Sequence, residues 1–199
     1  SEAKASLTVL EEARPRRIEF EELDFNLGER WIPTGIYARF ASHLFDAEVA
    51  IHYSESSDDF SVKCHQGNLH IWEKYAVKAE SRTFDGIALI KHALVNTTPD
   101  ITKKIRIGDQ EVKVRDMEAI QMANTKIDEI RTAFTDWLPA QSDEFKNRLT
   151  DQYNDTFNCF VRPNYDGTHQ DFPGLDRKAL GIEDLYSSQK DAVWMIKLN

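Results

Sequence analysis

The stretch KKIRIGDQEVKVRDMEAIQMANTKIDEIRTAFTDWLP, Lys103 to Pro139, decides the fold class. Its first part alternates and its second part repeats at helical spacing. On either side of Gly108-Asp109, Ile105, Ile107, Val112 and Val114 take one face of a hairpin. Lys104, Arg106, Lys113 and Arg115 take the other. Directly afterwards Asp116 can cap a helix. Met117, Ile120, Asn124, Ile127, Ile130 or Arg131, Phe134 and Trp137 then follow a heptad-like spacing, and Pro139 ends the run.

Working outward, Ser142 caps a further helix, with Asp143 and Glu144 in its positive first turn. Phe145, Leu149, Tyr153 and Phe157 form its apolar stripe. The short link predicts an antiparallel helical pair. Upstream, FDGIALIKHALVN reads as a helix, with Ile87, Ile90, Ala93 or Leu94 inward. LHIWEKYAV is ambiguous between strand and helix. EVAIHY and DFSVKC alternate on either side of the polar SESSDD, a second hairpin with a longer loop. Before them, Asn26-Leu27-Gly28 signals a turn, and Pro33 suits the first turn of a helix carrying Ile36 and Phe40. The expected fold is therefore α+β: small antiparallel hairpins packed with several helices, including a long antiparallel helical pair. The expected divisions are a polar tail or linker (1–17), an α+β domain with two hairpins (18–115), the helical pair (116–158), a long loop (159–182) and a terminal helix (183–199).

Composition bounds the function. The chain has 199 residues, 41% hydrophobic and 11% aromatic, enough to bury a core. Its formal net charge of -9 argues against coating nucleic acid as a whole, but leaves room for a local basic patch. No apolar run approaches the roughly 18 residues of a membrane helix. Cys64 and Cys159 could form a disulfide, or, with no secretory signal ahead of them, remain a reduced pair in the cytoplasm. Ser1 at one end and an unstopped helix at the other read as cut ends of a longer protein.

Motifs for chemistry are few. Cys64, His65 and His70 lack the converging spacing of a metal site. No G-x-S-x-G, catalytic cysteine signature or glycine-rich phosphate loop is present, so no catalytic residue is assigned. Lys104, Arg106, Lys113 and Arg115 could meet a phosphate backbone, or could be a solvated outer face guarding an edge strand. FVRPNYDGTHQDFPG places Arg162, Tyr165, His169 and Phe172 on an irregular loop. They could stack on bases and clamp phosphate, or strap the loop down. In the last helix, Leu185, Gln189, Ala192 and Ile196 fall on one side of the wheel. Gln189 then either needs a buried partner or sits at the stripe's edge and reaches water.

Leu185-x-x-x-Gln189-x-x-Ala192-Val193-x-x-Ile196 resembles the Q-motif helix of superfamily-two helicases, including Swi/Snf-type translocases. Together with YNDTFNCFVRPNYDGTHQDFPG, HALVNTTPDITKK and VRDMEAIQMANTKIDEIRTAFTDWL, it resembles the segment ahead of the motor in large bacterial DNA methylase–helicase fusion proteins of mobile elements and phages. The similarity covers most of residues 26 to 199. It implies that Gln189 is an adenine reader with Tyr186 as a stacking neighbour, half of an ATP site. ATP and Mg would belong to the parent's motor, since neither G-x-G-K-T nor a D-P-P-Y or N-P-P-Y tetrapeptide is present. The implied role is a non-catalytic accessory segment that positions DNA or docks the adjoining helicase and methylase domains. The alternative is a protein–protein docking module with no nucleic-acid contact.

Overall fold

The computed structural model describes residues 2–160 and 165–198. It forms two compact units. One is the continuous stretch Arg17–Phe157; the other joins the segments before Arg17 and after Phe157. The α+β class is correct.

The chain opens with helix α1, Glu2–Ala13, where the sequence predicts a polar tail. The breaker Pro15 lies beyond its end. Ahead of it stand the good helix formers Glu, Ala, Lys and Leu, and Thr8 returns its hydroxyl to the Lys4 carbonyl at 3.0 Å.

The unit Arg17–Phe157 begins with a short 3-10 turn, Phe20–Glu22. Helix α2, Thr34–Phe45, follows Pro33 and stops at Asp46, which takes the left-handed conformation. It buries Tyr37, Phe40, Ala41 and Phe45. Strands β1 (Val49–Ser54) and β2 (Asp59–Cys64) pair antiparallel, with Ile51 opposite Val62 and Tyr53 opposite Phe60. The ambiguous LHIWEKYAV resolves into both structures. His70–Lys74 is a single π-helical turn, and β3 (Val77–Lys78) pairs with β4 (Thr83–Phe84) as a ribbon the sequence reading did not foresee. Helix α3, Gly86–Val95, is capped by the Asp85 carboxylate, which accepts from the Ala88 amide at 2.8 Å. Strands β5 (Thr102–Ile107) and β6 (Gln110–Arg115) form the third two-stranded sheet. Helix α4 (Met117–Trp137) and helix α5 (Asp143–Phe157) complete the unit.

The core explains why residues 18–115 and 116–158 are not separate domains. Phe134 of α4 packs its ring 5.6 Å from Tyr37 and 5.2 Å from Phe40 of α2. Ile127 and Ile130 join Leu89 and Ile90 of α3 in the same cluster. The principal helical neighbour of α4 is α3, while α5 packs on the turn at Phe20–Glu22. The expected pairing along the length of α4 and α5 is thus replaced by a contact near their junction, Trp137 against Phe145 at 5.9 Å. The buried stripe of α4 also runs through Ala119 and Ala123. Met117, predicted to face inward, is 65% exposed.

Gly28 shows how tightly the entry to this unit is held. Its φ is +98°, and a Cβ there would lie 1.9 Å from the Leu94 carbonyl oxygen at the end of α3. Only glycine meets both demands.

In the other unit, the long connection after Phe160 contains a short helix α6, Arg177–Leu180, ended by the left-handed Gly181. The terminal helix α7 spans Ser187–Leu198. Gly167 abuts its backbone: a Cβ there would come 2.1 Å from the Lys190 carbonyl oxygen.

Candidate functional site

The β5–β6 hairpin stands apart from the core. Among the described residues no other strand or helix packs extensively on either of its strands. It turns through Gly108 at φ +64°, a position that favours glycine at the first turn residue. The register sets Lys104 opposite Lys113, Arg106 opposite Glu111 and Thr102 opposite Arg115. Directly opposed residues share a face, so all four predicted cations lie on one side.

That face is not bare positive charge. Glu111 lies among the cations and its carboxylate meets Lys104 Nζ at 3.1 Å. Asp109 reaches Arg106 at 3.6 Å, and Asp100 reaches Arg115 at 3.4 Å. Among the described residues, Lys113 alone of the four makes no ion pair. The period-two alternation that placed the lysines also places Glu111 beside them, so its role was readable. Asp100 comes from outside the hairpin and was not.

The opposite face carries Ile105, Ile107, Val112 and Val114, as predicted. It is not a core face. Ile107 is 61% and Val112 38% exposed. Lys103, which shares this side, reaches Asp116 Oδ1 at 3.4 Å and so ties the hairpin root to the cap of α4.

The predicted adenine site looks different from its expectation. Gln189 Oε1 accepts the Tyr186 amide hydrogen at 2.9 Å, one half of a capping box at the start of α7. The glutamine is exposed, and Tyr186 is 75% exposed. Leu185 is half-buried, but Ala192 and Ile196 lie on the exposed side of α7. The covered side runs through Lys190, Asp191, Val193 and Trp194. It is covered because the 165–175 loop folds onto it. His169 meets Trp194 edge-on at 4.5 Å, the Gly167 amide donates to Asp191 at 2.8 Å, and Gln170 Nε2 donates to the Lys190 carbonyl at 2.8 Å. Gln170 is buried, and its Oε1 has no partner among the described residues. Asp184 clamps the same helix: Lys190 at 2.7 Å, with Arg177 at 3.3 Å, holds its carboxyl down at about 2. Tyr165 is half-buried in this loop. Arg162 lies outside the described residues.

A cleft of about 590 Å³ lies between the Asn26–Arg30 turn, the tip of β1–β2, the end of α3 and α4. Its charges are matched internally. Asp58 accepts from Arg30 and from Tyr53, each at 2.5 Å, and Arg131 donates to Asn96 at 2.8 Å and to Asp128 at 3.0 Å. Tyr53 is correspondingly held protonated by the Asp58 carboxylate. The volume suits a small molecule, but the polar groups converge on one another rather than on the space. Among the described residues no group of three or more His, Cys, Asp or Glu could hold a metal ion, and no helix is long and apolar enough to cross a membrane. Neither Cys64 nor Cys159 is in a disulfide.

The fold and this projecting hairpin define an α+β domain with an exposed two-stranded arm. A family described as a domain of unknown function, DUF8437, matches residues 26–159, and the chain belongs to that family. The match spans nearly the whole compact unit Arg17–Phe157 and stops short of α7. Comparison with curated proteins and with solved structures finds no match.

Proposed function

We propose that this chain is a non-catalytic docking module whose contact element is the β5–β6 hairpin. By the resemblance of its sequence, its place is beside the helicase and methylase parts of a cytoplasmic DNA-modifying polypeptide. ATP and Mg would be bound by the parent's motor. The observation that carries the reading is the hairpin itself, which exposes an apolar face and a charged face at once. An apolar strand face left to water is a contact surface waiting for cover. The ion pairs from Glu111, Asp109 and Asp100 favour docking over phosphate binding, because they already engage three of the four cations.

The test is duplex-DNA titration by fluorescence anisotropy over a salt series. Wild type is compared with a variant carrying Gln at 104, 106, 113 and 115. Docking predicts the same DNA affinity and salt slope for both. A variant that loses affinity, with a slope lower by roughly one per lost contact, contradicts it and makes the hairpin a phosphate-binding arm.

A further inference from the structure

The two edges of the β5–β6 ribbon are not equivalent. In an antiparallel ladder, alternate residues turn their amides inward and outward. The Asp116 amide donates to the Ile101 carbonyl at 2.8 Å, which fixes the alternation: Lys103, Ile105 and Ile107 pair inward with Val114, Val112 and Gln110. Thr102, Lys104 and Arg106 therefore face outward on β5, and Glu111, Lys113 and Arg115 on β6. The Glu80 carboxylate accepts the outward Lys104 amide hydrogen at 3.3 Å and so covers the middle of the β5 edge. Among the described residues nothing accepts the outward amide hydrogens of Glu111, Lys113 or Arg115.

We propose that the outer edge of β6 receives an extended polypeptide segment of alternating apolar and acidic residues as a third strand. The proposal rests on the docking reading and names the partner's chemistry. A strand laid there would place alternate side chains on the two faces of the ribbon. On one face they would extend the apolar row of Ile105, Val112 and Val114. On the other they would lie beside Lys113 and Arg115.

Charge selects among occupants. Residues Thr102 to Arg115 hold five cations and two acids in a chain of net charge -9. Lys113 sits opposite Lys104, an unfavourable neighbour, and lacks an acid of its own. A carboxylate arriving on the third strand supplies it. A second copy of the same edge paired about Lys113 would bring lysine against lysine. An edge lysine is a common guard against indiscriminate pairing; here it guards against neutral and basic strands and admits an acidic one. A two-stranded ribbon is marginal in water, and a third strand is what makes such a ribbon stable.

The test uses the isotope-labelled chain and a blocked hexapeptide of alternating valine and glutamate, read by NMR. Saturable binding that slows exchange of the Glu111, Lys113 and Arg115 amides is expected. Lys113→Glu should weaken it about fivefold or more, the worth of turning one exposed ion pair into a repulsion. Glu111→Pro should abolish it by removing an outward donor while sparing the inward ladder. Melting temperatures of both variants verify that the fold survives. Absence of binding, equal binding of a valine–lysine hexapeptide, protection elsewhere on the chain, or dimerisation through β6 would each overturn the proposal. Should the hairpin become protected in the full polypeptide while the outward β6 amides stay in fast exchange, docking would stand and edge pairing would fall.

Discussion

Lys104 and Lys113 face each other across the β5–β6 ribbon, and of the two only Lys104 makes an ion pair among the described residues, with Glu111 at 3.1 Å. The ribbon thus carries an uncompensated charge at the centre of its exposed edge. Lys113→Thr removes a like-charge pair and adds a residue of high strand propensity. It should raise the unfolding free energy slightly, by about 0.2–1 kcal/mol, measured by urea unfolding. A loss of stability would mean that Lys113 has a stabilising partner in solution.

The core predicts a much larger effect. Phe134 is fully buried among Tyr37, Phe40 and Trp137. Phe134→Ala should cost about 3–5 kcal/mol in urea unfolding. Ile196→Ala on the exposed side of α7, where the side chain is 73% exposed, should change stability by less than about 0.5 kcal/mol.

Two glycines predict opposite signs. Gly35, early in α2, has open space where a Cβ would go. Gly35→Ala should stabilise by up to about 1 kcal/mol through helix propensity and reduced freedom of the unfolded chain. Gly28→Ala must destabilise, because its φ is +98° and the Leu94 carbonyl occupies the space. Melting curves of the two variants decide both.

Alkaline pH should weaken the compact unit through Tyr37. Its hydroxyl donates to the Glu29 carbonyl at 2.7 Å, and burial pushes its ionisation well above the ordinary tyrosine range. The folded state therefore holds the proton more tightly than the unfolded one. This contribution is complete below about pH 10 and declines as pH rises beyond it. Tyr37→Phe should remove that part of the alkaline decline in a pH series of urea unfolding. An unchanged decline would assign it to other groups.

How much of this was legible in the sequence follows from physical scale. Both long hairpins, the Asp116 cap and helices α2 to α5 rest on local periodicity and capping, which the sequence states directly. The β3–β4 ribbon pairs only two residues a side, too short for alternation to show. The partner of α4 is a tertiary choice, and no local pattern names α3 in advance. On α7 the wheel located an apolar stripe, but which side is covered depends on a loop from Gly167 to Gln170 folding back onto it. The four hairpin cations were correctly placed on one face, while the Asp100 partner of Arg115 comes from the turn before β5 and needed the fold.

Hydrogen exchange at Thr102 to Arg115 tests the central claim most directly, comparing this chain alone with the full polypeptide to which the resemblance assigns it. Docking through the hairpin predicts faster exchange of the Thr102 to Arg115 amides taken together in the isolated chain and marked slowing of that hairpin in the full polypeptide. Equal exchange in both would contradict the account.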